Sequence, residues 1–327
     1  MGAPLELSYV LPLRWADDDG WTELEGYLRA LAPRVRELIV VDGSEEALFE
    51  RHGAALAGLA RVIRPDPAYD FAMGKVNGVT TGVLAADCER VVIADDDVRW
   101  DEAGLRHLVE LLGEAHLVRP QNHFDPLPWH ARIDTGRTLL NRILTGDLEF
   151  PVGDFPGTLG LRRSAFVATG GYDGDVMFEN LELMRTIAAA GGRVVTPLGL
   201  YVRRLPPTTA HYLGQRVRQA YDDLALPLRL AVQLSAAPLA LLAAARRRWA
   251  WIAAGAAAIS GLAELGRRRQ GGAAHFPWTS SLLAPVWVAE RAVSAWLAVL
   301  SRVRRGGIPY AGRLVPRAAS SRGEQRA

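Results

Sequence analysis

One cysteine, Cys88, occurs in the 327 residues. A single thiol excludes an internal disulfide and a zinc site built from several thiolates. A reducing compartment is therefore permitted. Lysine is equally scarce: Lys75 is the only one, and every other basic residue is arginine. A GC-rich genome that favours arginine codons accounts for that bias as well as selection at Lys75 does. Strong charge of either sign is missing, since the formal net charge is +2. The first half has no basic face with interleaved aromatics, which argues against a nucleic-acid partner. No basic segment followed by a long apolar run opens the chain, so no secretory signal is read and the first half is expected in the cytoplasm. No internal repeat is visible.

What is present is apolar residues in abundance, 49% of the chain. That is enough for one large α/β domain and an appendage. Residues 1–223 alternate short apolar runs with helical spacing. Strands are predicted at 7–13, 37–41, 60–63, 90–94 and 193–196. Helices are predicted at 22–31, 45–59, 76–86, 164–169 and 179–190, and from Asp101 as N-cap through Leu112. Alternating strands and helices imply a mostly parallel sheet that binds ligands beyond the strands' carboxyl ends. Residues 119–157 carry prolines at 120, 126, 128, 151 and 156 and are expected to form a binding-loop region.

From residue 224 onward the composition shifts to Ala, Leu and Trp. Three apolar stretches, 224–245, 249–265 and 281–300, are flanked by arginine clusters at 246–248, 267–269 and 302–305. None is a clean span. The first holds Pro227, Arg229 and Pro238, the second is short, and the third has Glu290 and Arg291 at its centre, costly in hydrocarbon unless shielded. Trp278, Trp287 and Trp296 suit a membrane interface. If 224–245 crossed fully, Arg246–Arg248 would face outward, against the positive-inside tendency. An interfacial, monotopic attachment or a re-entrant hairpin removes the conflict. A soluble helical domain is the alternative.

The chemistry concentrates where strands end. Val91-Val92-Ile93-Ala94 runs into Asp95-Asp96-Asp97. Clustered carboxylates repel unless a cation sits among them. Mg²⁺ or Mn²⁺ accepts one or two carboxylates and completes its shell with phosphates, and Asp95 and Asp97 are the spaced pair for that role. Asp42, in Val40-Val41-Asp42-Gly43-Ser44, ends an earlier strand and could bond a base or ribose, or simply shape a turn. Lys75, in Gly74-Lys75-Val76-Asn77-Gly78, can reach a phosphate as a point charge, or lie solvated at a helix start.

These segments, in this order, resemble family 2 glycosyltransferases, and Val92 to Arg99 looks most like the membrane-bound, ceramide-glucosyltransferase-like branch. Further segments are similar: Gly157-Thr158-Leu159 through Tyr172-Asp173, Glu179-Asn180-Leu181-Glu182-Leu183 for a Glu-Asp-x-x-Leu motif, Gln215-Arg216-Val217-Arg218-Gln219 for Gln-x-x-Arg-Trp, and Gly307 to Arg313 for a tail segment after the membrane helices. The resemblance covers essentially the whole chain. It implies a GT-A α/β catalytic domain (1–223), a hydrophobic helical membrane-associating region (224–305) and a polar basic tail (306–327). It also implies sugar transfer, with inversion, from a nucleotide-sugar donor to a lipid or glycan acceptor, assisted by a divalent metal at the cytoplasmic side of the cell membrane. Pro12, Asp42, Lys75, Asp95, Asp96, Gln215 and Arg218 would serve the donor; Asp95 and Asp97 would serve the metal.

Two positions depart from the family. Asn180 stands where its aspartate base would be, and an amide cannot take a proton at neutral pH. Glu179 or Glu182 then assumes the role, or a phosphate acceptor such as a polyprenyl phosphate needs no base. Gln219 stands in place of the tryptophan. An inactive binding protein rests on Asn180 alone, and the intact Asp95/Asp97 pair speaks against it. A nucleotidyltransferase would want a Gly-rich basic loop after the first strand, where this chain has Pro12-Leu13-Arg14-Trp15.

Overall fold

The computed structural model describes residues 3–144 and 156–320. Among them, strands β1 (Leu5–Leu13), β2 (Val35–Asp42), β3 (Arg61–Ile63) and β4 (Arg90–Ala94) pair in parallel, with β1 between β2 and β4. Beyond β4 the sheet continues through β8 (Thr158–Arg162), antiparallel to both neighbours, then β6 (Leu117–Val118) and β9 (Val194–Val195). Helices α1 (Trp21–Leu31), α2 (Glu46–Ala55), α3 (Gly74–Ala85), α4 (Glu102–Leu111), α6 (Arg163–Ala168) and α7 (Glu179–Ala189) accompany the sheet. Asp101 caps α4 by accepting the Gly104 N–H at 2.6 Å, as its position predicts.

Both sheet faces are covered, so the strands read as near-continuous apolar runs. Alternate residues serve opposite cores. Val10, Ile39, Val41 and Ile93 pack on one side with Val76 and Val79 of α3. Tyr9, Leu11, Val40 and Val92 pack on the other with Leu24, Leu28 and Leu105 of α1 and α4. Each fully buried aliphatic side chain contributes about 1.5–3 kcal/mol. The strand order reverses at β1, which opens a crevice outside the carboxyl ends of β1 and β4.

Residues 119–144 correct the expectation of a loop region over 119–157, of which residues 145–155 lie outside the described residues. Gln121–Phe124 is a strand, β7, and Trp129–Leu144 is a helix, α5; Pro151 lies outside the described residues. The prolines that are described bound elements instead of marking a loop. Helix α5 hides from sequence periodicity because most of its buried positions are polar: His130, Asp134, Thr135, Arg137, Thr138 and Asn141 are buried, beside the apolar Ala131 and Leu139. Strand β7 pairs with β10 (Tyr201–Arg204), which also pairs with β5 (Val98–Arg99) directly after the Asp triplet.

Two short helices, α8 (Thr209–Gly214) and α9 (Arg216–Tyr221), lead into α10 (Pro227–Ala245), α11 (Trp249–Arg268) and α12 (Trp278–Arg305). The last three are long and apolar enough to cross a membrane. Helix α5 packs with α11 and α12. Arg142 of α5 donates from Nε to the Gly266 carbonyl near the end of α11 at 3.0 Å, a helix C-terminus met by a cation. The charges inside the apolar stretches turn toward protein. Arg229 reaches Asp223 at 3.1 Å, Glu290 approaches Arg216 at 3.6 Å, and Arg291 is fully buried 3.8 Å from Asp223. Trp287 is buried as well, so it does not serve an interface; Trp278 and Trp296 stay exposed. After α12 a hairpin forms from β11 (Ile308–Tyr310) and β12 (Arg313–Val315). The following chain runs beside the segment before α7, where Met177 and Phe178 donate their N–H groups to the Arg317 and Ala318 carbonyls.

Candidate active site

A cleft of about 900 Å³ opens at the carboxyl ends of β1 and β4. The tight turn after β4 presents Asp95, Asp96 and Asp97 on its floor. Lys75, in the first turn of α3, donates from Nζ to Asp95 Oδ1 at 2.6 Å and to Glu179 Oε1 at 2.8 Å. One ammonium thus joins the Asp triplet to the start of α7. Burial works against the charge of Lys75, but Asp95 and Glu179 outweigh it and hold the ammonium more firmly than usual. Arg204 of β10 clamps Asp97: its Nε lies 3.0 Å from both carboxylate oxygens and its Nη2 2.6 Å from Oδ2. The same Nη2 stands 3.5 Å from Asp95. Asp96 accepts from the Trp15 indole N–H.

This network sets four carboxyl groups, Asp95, Asp96, Asp97 and Glu179, against two cations, Lys75 and Arg204. Burial raises the Asp97 carboxyl above the ordinary range, and Asp95 and Asp96 add to the rise although Arg204 opposes it. The cluster is therefore short of positive charge.

Glu179 is nearly buried and tightly held. Its Oε1 accepts from Asn180 Nδ2 at 2.8 Å in addition to Lys75, and its Oε2 accepts the Asn180 N–H at 2.8 Å. Asn180 Nδ2 also bonds the Pro156 carbonyl at 3.2 Å. On the facing wall, Gln215 and Arg218 line the cleft, with Arg218 stacked over Tyr310 of the tail hairpin at 5.1 Å. Gln219 takes the tryptophan's place by donating to Gln215 Oε1 at 3.1 Å. Arg313 bridges to Asp70 at 2.7 Å at the cleft's edge.

Of the residues singled out in the sequence, Pro12, Lys75, Asp95, Asp96, Asp97, Glu179, Asn180, Gln215 and Arg218 share this cleft. Two do not reach it. Asp42 is fully buried; Oδ1 accepts the Ser44 N–H at 2.8 Å and Oδ2 meets His52 Nδ1 at 2.6 Å. It shapes the turn that brings Gly43 and Ser44 to the cleft wall. Glu182 is one helical turn past Glu179 and faces the tail, where Oε2 accepts the Ser320 N–H at 2.8 Å. The sequence reading missed Arg204 and Trp15. Only pairing between distant strands places Arg204, and no local motif marks it. An indole directly after the first strand is a weak signal for Trp15.

No protein-family model matches the sequence, and no curated protein does. Solved structures do match. A mannosyltransferase from Pyrobaculum calidifontis, in complex with GDP-Man and Mn²⁺, is 20% identical with a TM-score of 0.53, over 89% of this chain and 87% of that one. Glucosyl-3-phosphoglycerate synthase from Mycobacterium tuberculosis, in complex with phosphoglyceric acid, is 18% identical with a TM-score of 0.44, over 65% of this chain and 75% of that one. The first likeness spans sheet and C-terminal helices together, and the chain has a GT-A-type α/β fold with a C-terminal set of helices apolar enough to associate with a membrane.

Proposed function

We propose that this chain is a glycosyltransferase of the family 2 type. It would take a sugar from a nucleotide-sugar donor and pass it, with inversion, to a lipid or glycan hydroxyl at a membrane surface. The observation that carries this reading is the bridge of Lys75 between Asp95 and Glu179. It couples a donor-side carboxylate cluster to a candidate base at the mouth of a GT-A-type crevice. The membrane-attached layout agrees with the ceramide-glucosyltransferase-like branch that the sequence resembles.

The residues divide by role. Pro12 and the turn held by Asp42 border the donor. Lys75, Gln215 and Arg218 face the diphosphate, where a fixed guanidinium pairs well with phosphate. A divalent ion fits the donor set by charge and hardness, because the network sets four carboxyl groups against two cations; Asp97 would exchange Arg204, and Asp95 Lys75, for contact with the ion. Among the described residues no three such side chains form a ready-made metal cage. Mg²⁺ or Mn²⁺ would take one or two carboxylates, here Asp95 and Asp97. When bound, the ion supplies neutralisation of charge on the leaving diphosphate. Glu179 accepts the proton of the attacking hydroxyl as its oxygen bonds the anomeric carbon and the bond to the diphosphate breaks. Asn180, in the aspartate's place, keeps that carboxylate oriented. Attachment to the membrane is monotopic in this reading, with the cleft on the cytoplasmic side.

Donor screening tests the reading. In the presence of Mn²⁺, one nucleotide-sugar among UDP- and GDP-linked hexoses should raise the melting temperature well above the others by binding only the folded state. A flat response across the panel at millimolar concentration would remove the glycosyltransferase assignment.

A further inference from the structure

Asp222, directly after α9, is a carboxyl in the cleft that the mechanism above does not use. It lines the cavity, yet it is only 5% exposed, and its buried Oδ1 has no hydrogen-bond partner. We propose that Asp222 is a specificity-determining residue, hydrogen-bonding a hydroxyl of the acceptor beside Glu179 and turning away a phosphate. The proposal rests on the glycosyl-transfer reading and names the acceptor class for it.

A buried carboxyl without a donor is costly as an anion, and burial favours its protonated form. Burial raises the pKa of Asp222 well above the ordinary range, and Asp223 beside it and Glu179 of α7 add to the rise. Arg218 of α9 and Arg291 of α12 oppose the rise and are outweighed. A protonated carboxyl offers one O–H donor and a carbonyl acceptor, the complement of an alcohol that both donates and accepts. A phosphate anion offers mostly acceptors and would add charge beside Glu179 and Asp223. Where the Asp222 carboxyl meets the cleft, an acceptor hydroxyl would satisfy it, which disfavours a polyprenyl phosphate.

The test uses the full chain with the donor found by the thermal screen and two acceptors, octyl glucoside and farnesyl phosphate. Nucleoside diphosphate release reports transfer. The wild type should use the glucoside and leave the phosphate unused. Asp222→Asn keeps a donor and an acceptor and should stay within about threefold, whereas Asp222→Leu should lose about tenfold or more in kcat/KM for the glucoside. The donor-induced melting shift should be the same in all three. Independently of turnover, the infrared difference between wild type and Asp222→Asn at pH 7 should contain a protonated-carboxyl carbonyl band. Wild-type kinetics in Asp222→Leu, preferred use of farnesyl phosphate, or no such band would each overturn the proposal. Failure of every donor to shift melting would instead sink the glycosyl-transfer reading, and the inference with it.

Discussion

At the residue scale, the chain's one lysine holds the cleft together. Lys75 is largely enclosed and touches two carboxylates from different elements, Asp95 after β4 and Glu179 at the start of α7. Removing the cation leaves two carboxylates facing each other in a poorly solvated space. Breaking such a pair from one side costs about 3 kcal/mol. Lys75→Met should therefore shift the urea midpoint down by an amount of that order and abolish turnover. Lys75→Arg should fold but work poorly, because a planar fork does not replace a point charge between two acceptors. Denaturation and turnover of the two variants check this; a wild-type midpoint and rate in Lys75→Met would return the residue to a solvated helix start. The codon bias leaves open whether Lys75 matters, and only the two contacts decide it.

At the scale of elements, the legible part was the part with a simple apolar pattern. Strands β1, β2 and β4 were readable as short apolar runs buried on both faces, and helices such as α1 and α4 by apolar residues at a period of 3.6. Helix α5 was not, since most of its buried side chains are polar, such as Asp134 against Arg216 of α9 and Arg142 against the end of α11. Arg204 was not, since its partner Asp97 lies 107 positions away and is reached through the pairing of β10 with β5. Glu179 and Glu182 share the first turn of α7 and cannot be told apart by spacing; packing turns one to the cleft and the other to the tail. The α5–α11 crossing is close enough to test. A Cβ on Gly266 would come within 1.9 Å of the Leu139 carbonyl oxygen, which is main chain and cannot swing aside. Gly266→Ala should thus destabilise by about 1–3 kcal/mol, the usual cost of overpacking, despite the better helix propensity of alanine. Unchanged or increased thermal stability of Gly266→Ala would show that the crossing is looser than described.

At the scale of the molecule, the sheet places the chemistry and the helices place the sheet. α10 and α11 leave Leu228, Leu239, Leu241, Trp249 and Trp251 exposed, while Arg229, Glu290 and Arg291 turn inward to protein partners. The shielded charges remove one objection to crossing, but the arginines after α10 still argue for an attachment from one side. Single cysteines at positions 247 and 268, in a Cys88→Ser background, should both escape an impermeant thiol reagent applied to intact cells. Labelling of position 247 from outside would mean that α10 crosses. The Asp triplet, with four carboxyl groups of its network against two cations, should bind a nucleotide-sugar through a divalent ion. Calorimetric titration of the donor into wild type and Asp97→Asn, each with Mn²⁺ and with chelator, decides this. Strong binding is expected only for wild type with Mn²⁺; equal binding by both proteins with the ion removed would take the metal and Asp97 out of donor recognition.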